Sequence, residues 1–171
     1  MLLIADTSVL INFLNVDRMY LLGKHVPSCV ITEHVVAEIS ELYPKQIQVL
    51  RSALDDNHIQ VMPVGTPEEL DIFVRIQKAG RLGAGESSAI AAALARGYSL
   101  AIDDRRAIRD ARLLADEVSQ QLTILRTQDI VARLIKSSEL SLEQADILLV
   151  SWRSQHRFDP GIASFAELLS N

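Results

Sequence analysis

The chain has 171 residues, enough for a single domain (1–171) with a sizeable core, and its 49% hydrophobic but only 5% aromatic composition suits a core of Leu, Ile, Val and Ala. No apolar run approaches the ~20 residues that cross a bilayer, and one cysteine, Cys29, excludes an internal disulfide or thiolate cluster, so a cytoplasmic globular protein with no membrane association is expected. The net charge of −5 argues against a uniformly basic nucleic-acid binder, yet residues 75–112 carry eight basic and four acidic side chains, a local balance of +4.

The first stretch, MLLIADTSVLINFL, begins with a non-alternating apolar run that suits a strand covered on both faces. Val9, Leu10, Phe13 and Leu14 then recur at helical spacing, which places Asp6 where a strand ends and a helix begins. A helix cap explains that position equally well. Further strands are predicted at VPSCVI, IQVMPV, YSLAID and LTILR. Helices are predicted at ITEHVVAEISEL, after Pro67, and at ESSAIAAALA, RRAIRDARLLA, QDIVARLI, SLEQADILLVSWRS and the terminal IASFAELL. Strands and helices thus alternate, the pattern of a parallel sheet. Ser141 and Gln144 form a predicted capping box, and Leu142, Ala145, Leu148, Leu149 and Trp152 the apolar face that follows. The glycine-rich GRLGAG has no Lys-Ser/Thr ending and reads as no phosphate cradle.

Four acidic positions stand out. Glu86 shares a helix face with Ala89, Ile90, Ala93 and Leu94, a direction that its favourable place in a first helical turn does not explain. Glu38 borders the stripe Val35, Val36, Ile39 and Leu42. Asp103 and Asp104 end the strand YSLAI as Asp6 ends the first, and if those two strands are neighbours the acids meet at one end of the sheet. Adjacent carboxylates repel each other, and a cation removes that cost. Oxygen ligands without converging His or Cys select Mg²⁺ or Mn²⁺; His25, His34, His58 and His156 have no metal-ligand spacing.

Four stretches together resemble the PIN-domain ribonucleases, and within them the VapC-type toxins of toxin–antitoxin pairs: IADTSVLINFL, VVAEI around Glu38, LGAGESSAIAAALA around Glu86 and LAIDDRRAIRDA around Asp104. The resemblance spans residues 2 to about 115 and rests on the ordered set of motifs. It implies an α/β fold, a three-layer α/β/α sandwich around a central parallel sheet. It also implies Mg²⁺- or Mn²⁺-dependent endonucleolytic cleavage of RNA, with Asp6, Glu38, Glu86 and Asp104 as catalytic acids and Asp6, Glu86, Asp104 or Asp103 as metal ligands. The chain departs from the pattern at Ile102, where Thr or Ser is common, and Asp103 leaves open which acid of the pair binds metal.

Arg105, Arg106, Arg109 and Arg112 are candidate RNA-phosphate contacts, and pairing with Asp110 and Asp116 is an equal alternative. The apolar faces of QDIVARLI, SLEQADILLVSW and IASFAELL exceed what one small sheet needs. Together with the resemblance, they imply a homodimer and a small antitoxin partner. Two other functions compete. A receiver-type Mg²⁺-binding signalling domain needs a Lys after a late strand, where LTILRT has Arg126, and leaves Glu38 and Glu86 without a role. A PIN-like module that binds RNA or a partner without cutting keeps the same acids.

Overall fold

A computed structural model describes residues 2–25 and 28–169, so Val26 and Pro27 of the predicted strand VPSCVI lie outside the described residues. Five short strands form one sheet: β1 Leu3–Ala5, β2 Cys29–Thr32, β3 Gln60–Met62, β4 Ser99–Ala101 and β5 Ile124–Leu125. Every pairing is parallel and the order is β3-β2-β1-β4-β5. The chain therefore winds outward from β1 to β3, then returns to the other side of β1 for β4 and β5. The switch falls between β1 and β4, where connections leave in opposite directions and open a crevice at the carboxyl edge.

Helices cover both faces, which makes the α/β/α sandwich. Alternate residues of one strand serve opposite layers: Leu3 and Ala5 join one buried cluster and Ile4 the other. The first layer contains α1 (Thr7–Asn15), α3 (Glu33–Leu42), α4 (Ile47–Asp55), α8 (Thr127–Lys136) and α9 (Leu142–Gln155). The second contains α5 (Pro67–Ala79), α6 (Ala84–Arg96) and α7 (Arg105–Glu117). Cys29 is enclosed in β2, and burial pushes its thiol up to about 12, which removes thiolate chemistry at neutral pH.

The remaining helices, α2 (Tyr20–Lys24) and α10 (Ala166–Leu169), are short. Neither α2 nor α4 is among the helices expected from the sequence, and both lack a side-chain cap at their start. The segment ITEHVVAEISEL divides, with Ile31 and Thr32 in β2 and the helix starting at Glu33, because Thr32 caps it through Val35 N. The terminal IASFAELL is helical only from Ala166. Ile162 and Phe165 are buried ahead of it, and Asp146 accepts bonds from Ser164 Oγ and Phe165 N that hold this approach against α9. The late helices thus mainly close the core: Ala145, Leu148, Leu149 and Trp152 are buried, as the sequence predicts. On the outer face of α9, Ile147 and Val150 remain exposed.

One ion pair fixes the second layer. Glu69 of α5 is fully buried and accepts bonds from Gly65 N, Thr66 N and the Arg96 Nε of α6, while Arg96 also reaches the Pro63 carbonyl. Burial works to raise its pKa, but the Arg96 guanidinium and the two backbone donors outweigh this and hold the carboxyl down at about 2. A lowered acid stabilises the fold above the ordinary Glu range and loses that contribution as pH falls toward its folded value. Arg96→Ala leaves the charge uncompensated, and urea unfolding at pH 7 should show a loss of about 3 kcal/mol.

Candidate metal centre at the carboxyl edge

The register places Asp6 one residue past β1, bonded through its own N–H to the Ala101 carbonyl of β4 at 3.0 Å. The strands that carry Asp6 and Asp103 are therefore neighbours, the condition on which the sequence reading depended. Asp6 is fully buried and caps α1: Val9 N donates to Oδ1 at 3.0 Å, and Ser8 Oγ lies 2.9 Å from both oxygens. Asp6 thus caps its helix, one of the two explanations its position in the sequence offers, and does so from the carboxyl end of β1. Burial pushes the Asp6 pKa up to about 8, against the pull of those hydrogen bonds, and the nearby Asp103 charge raises it further.

Asp103 is tightly held. Asn12 Nδ2 donates to Oδ2 at 2.9 Å, Thr127 N to Oδ1 at 3.0 Å and Thr127 Oγ1 to Oδ2 at 2.5 Å. Ser8 joins the two acids, accepting a bond from Asp103 N while donating to Asp6. Trp152 Nε1 donates to the Asn12 carbonyl at 2.8 Å, so α9 braces the helix that presents Asn12. Burial raises the Asp103 pKa despite the Thr127 and Asn12 donors and the nearby Arg126 charge. Asp104, next in sequence, is exposed and caps α7 through Ala107 N at 2.8 Å.

Glu86 turns back along its own helix and accepts a bond from Gly83 N at 3.1 Å. The first-turn explanation thus accounts for part of its direction, while Ala89, Ile90, Ala93 and Leu94 carry the buried face. Burial raises its pKa, the charges of Asp104 and Glu38 add to the rise, and Arg106 opposes it. Glu38 crosses from α3 to the start of α6, where Gly85 N donates to its Oε2 at 2.9 Å. Glycine makes room for this contact: a Cβ at position 85 would lie 2.1 Å from Glu38 Oε2 and 2.8 Å from Thr7 Oγ1, so a larger residue must push those side chains aside. That Thr7 hydroxyl is buried without a hydrogen-bond partner.

The fold thus brings Asp6 and Asp103 into electrostatic range of each other, and Glu86 into range of Glu38 and Asp104. Among the described residues, no three Asp, Glu, His or Cys side chains stand close enough to form a ready-made cage. The donor set nonetheless fits a hard divalent cation: oxygens only, excess negative charge, a buried carboxyl that resists ionisation, and an unpartnered buried hydroxyl beside Glu38. Sequence reasoning did not single out Ser8, Asn12, Gly85 or Thr127. Of the four candidate arginines, all are exposed; Arg109 approaches Asp110 at 3.4 Å, and Arg106 lies within range of Glu86.

Comparison with known proteins agrees with this architecture. A family model described as PIN domain matches residues 2–149. Among solved structures, a PilT N-terminus domain protein from the hyperthermophilic archaeon Sulfolobus solfataricus is similar with a TM-score of 0.50 at 20% identity, covering 78% of this chain and 92% of its own. VapBC2 from Rickettsia felis, solved bound to a DNA fragment from its promoter, is similar with a TM-score of 0.51 at 15% identity, covering 74% and 98%. No curated protein matches the sequence significantly. With a family model spanning most of its length and a fold that agrees, the chain belongs to the PIN-domain family.

Proposed function

We propose that this protein is a Mg²⁺- or Mn²⁺-dependent endoribonuclease, acting in the cytoplasm as the toxin of a toxin–antitoxin pair. The reading rests on two groups of like charge, Asp6 beside Asp103 and Glu86 beside Glu38 and Asp104, which contain the four candidate acids Asp6, Glu38, Glu86 and Asp104. These four would hold the metal. When bound, it supplies acidification of a water and neutralisation of charge on a phosphodiester. Asp103, with both oxygens taken by protein donors, positions the edge by fastening β4 to α1 and α8. Ser8 orients Asp6 from the same network. Arg106, close to Glu86, and Arg105 beside it are placed to meet flanking phosphates.

The receiver alternative leaves the Glu38–Gly85 contact without purpose, and nothing favours it. Purified protein incubated with mixed RNA should cut in Mg²⁺ or Mn²⁺ and stop in EDTA. Cleavage undiminished by EDTA contradicts the metal reading, and binding without cleavage under all conditions supports the non-catalytic alternative.

The partners follow from the same reading. Ile147 and Val150 on α9 leave an apolar strip for association, and the acidic edge suits a basic antitoxin segment. Light scattering at micromolar concentration should report a dimer, and purification from the native host should recover a small partner. A strictly monomeric mass contradicts the first, and recovery alone with harmless overexpression contradicts the second.

A further inference from the structure

The acidic edge carries one cation that the candidate RNA-binding set did not include. Arg126 directly follows β5, and the bond from Ile102 N to Leu125 O at 2.9 Å sets it level with the end of β4, on the outer side of Asp103. Its Nε stands 3.7 Å from Asp103 Oδ1, within ion-pair range but beyond a hydrogen bond, and this buried nitrogen has no hydrogen-bond partner. Asp103 does not need it, since Asn12 and Thr127 already supply three donors. The side chain is 31% exposed, so its outer nitrogens open toward solvent while Nε is enclosed. A fork of donors is therefore held at the rim of the acid cluster by a charge it does not satisfy. The α7 arginines stand further into solvent; Arg109, which meets Asp110 at 3.4 Å, has its side chain 65% exposed. They are exposed and pay more side-chain entropy when a ligand orders them.

We propose that Arg126 is a substrate-positioning residue that grips an RNA phosphate on the β5 side of the acidic cleft. The inference rests on the ribonuclease reading, because it assigns the phosphate to the strand being cut. A polyanion approaching a cluster of carboxylates needs an anchoring cation beside them, and Arg126 stands there partly desolvated, where screening by salt is weaker than on α7. The competing role is purely structural, with Arg126 serving only to balance Asp103.

The test measures binding of a short fluorescein-labelled single-stranded RNA in EDTA over a salt series, and steady-state cleavage in Mg²⁺ or Mn²⁺. Arg126→Ala should weaken binding and raise KM about tenfold with kcat changed less than about threefold, and reduce the logarithmic salt slope by about 0.7, the value of one phosphate contact on single-stranded nucleic acid. Arg126→Lys should keep the wild-type slope and recover most of the affinity. Where Arg126→Ala folds poorly, Arg126→Gln, which retains reach without charge, carries the same expectation. Unchanged slope and KM in a folded neutral variant overturn the proposal, as does a loss confined to kcat, which marks an effect transmitted through Asp103. Wild-type protein that cleaves RNA while Arg126→Ala matches it defeats this inference alone. Wild-type protein that neither binds nor cleaves RNA defeats the ribonuclease reading together with it.

Discussion

Replacing Asp6 with Asn should lower metal-dependent RNA cleavage by about 10²–10³-fold, and in metal-free buffer at pH 8 it should make the protein more stable rather than less. The second half follows from the raised pKa. An acid held at about 8 in the fold but near 3.8 when unfolded binds its proton more tightly in the native state, so wild-type stability falls as pH rises between those values. At pH 8 the cost of ionising Asp6 inside the fold is several kcal/mol. Asparagine keeps an oxygen for Val9 N and Ser8 Oγ without the charge, and should recover about 3 kcal/mol, seen as a melting temperature higher by roughly 5–10 °C. The gain should vanish near pH 4, where both forms are neutral. Melts of wild-type and Asp6→Asn protein between pH 4 and 8 check this. A variant that melts lower at pH 8 marks Asp6 as a capping residue alone, with about 1 kcal/mol of cap energy lost.

Gly85→Ala should separate activity from stability in the opposite way. Position 85 lies in the first turn of α6, where alanine gains close to 1 kcal/mol of helix propensity over glycine. The added methyl cannot coexist with Glu38 Oε2 at 2.1 Å, but that oxygen ends a flexible side chain and can swing away. Thr7 Oγ1 at 2.8 Å must also give by rotation or a small shift. The melting temperature should therefore change by no more than a few degrees, while cleavage falls at least 10- to 100-fold because Glu38 leaves the cluster. A variant with wild-type cleavage removes Glu38 from the site. A collapse in stability shows instead that Glu38 is locked by packing.

The parts of this site that were legible in the sequence are those written in a local pattern. Asp6 and the Asp103–Asp104 pair each end an apolar run that gives way to a helical period, and strand ends in parallel sheets are where ligands gather. Glu38 only borders a buried stripe, the place of an ordinary rim residue, and became a candidate through the family resemblance. The outer element α2 is a five-residue turn too short to show a period, whereas α4 does place Ile47, Leu50, Ala53 and Leu54 against the core and was missed for want of a side-chain cap to mark its start. The network that holds Asp103 was not legible. Asn12 and Thr127 are separated from each other by 115 residues, and each alone looks like an ordinary polar residue on or beside a helix. The role of Gly85 depends on the approach of α3 to α6, which no local pattern encodes. Arg126 drew notice only as the wrong residue for a receiver domain, and its meaning comes from the strand order that sets β5 beside β4.

The central claim, that Asp6 and its neighbouring acids hold a divalent cation, is tested most directly by titrating metal-free protein with Mn²⁺ at pH 8 in a calorimeter, for wild type and Asp6→Asn in parallel. Cation binding must displace the proton that burial keeps on Asp6, so wild-type protein should bind Mn²⁺ saturably with release of up to one proton, read from titrations in buffers of different ionisation enthalpy. Asp6→Asn should bind at least tenfold more weakly and release none. Equal affinity and equal proton release in the two proteins, or no saturable binding to the wild type, would contradict the account.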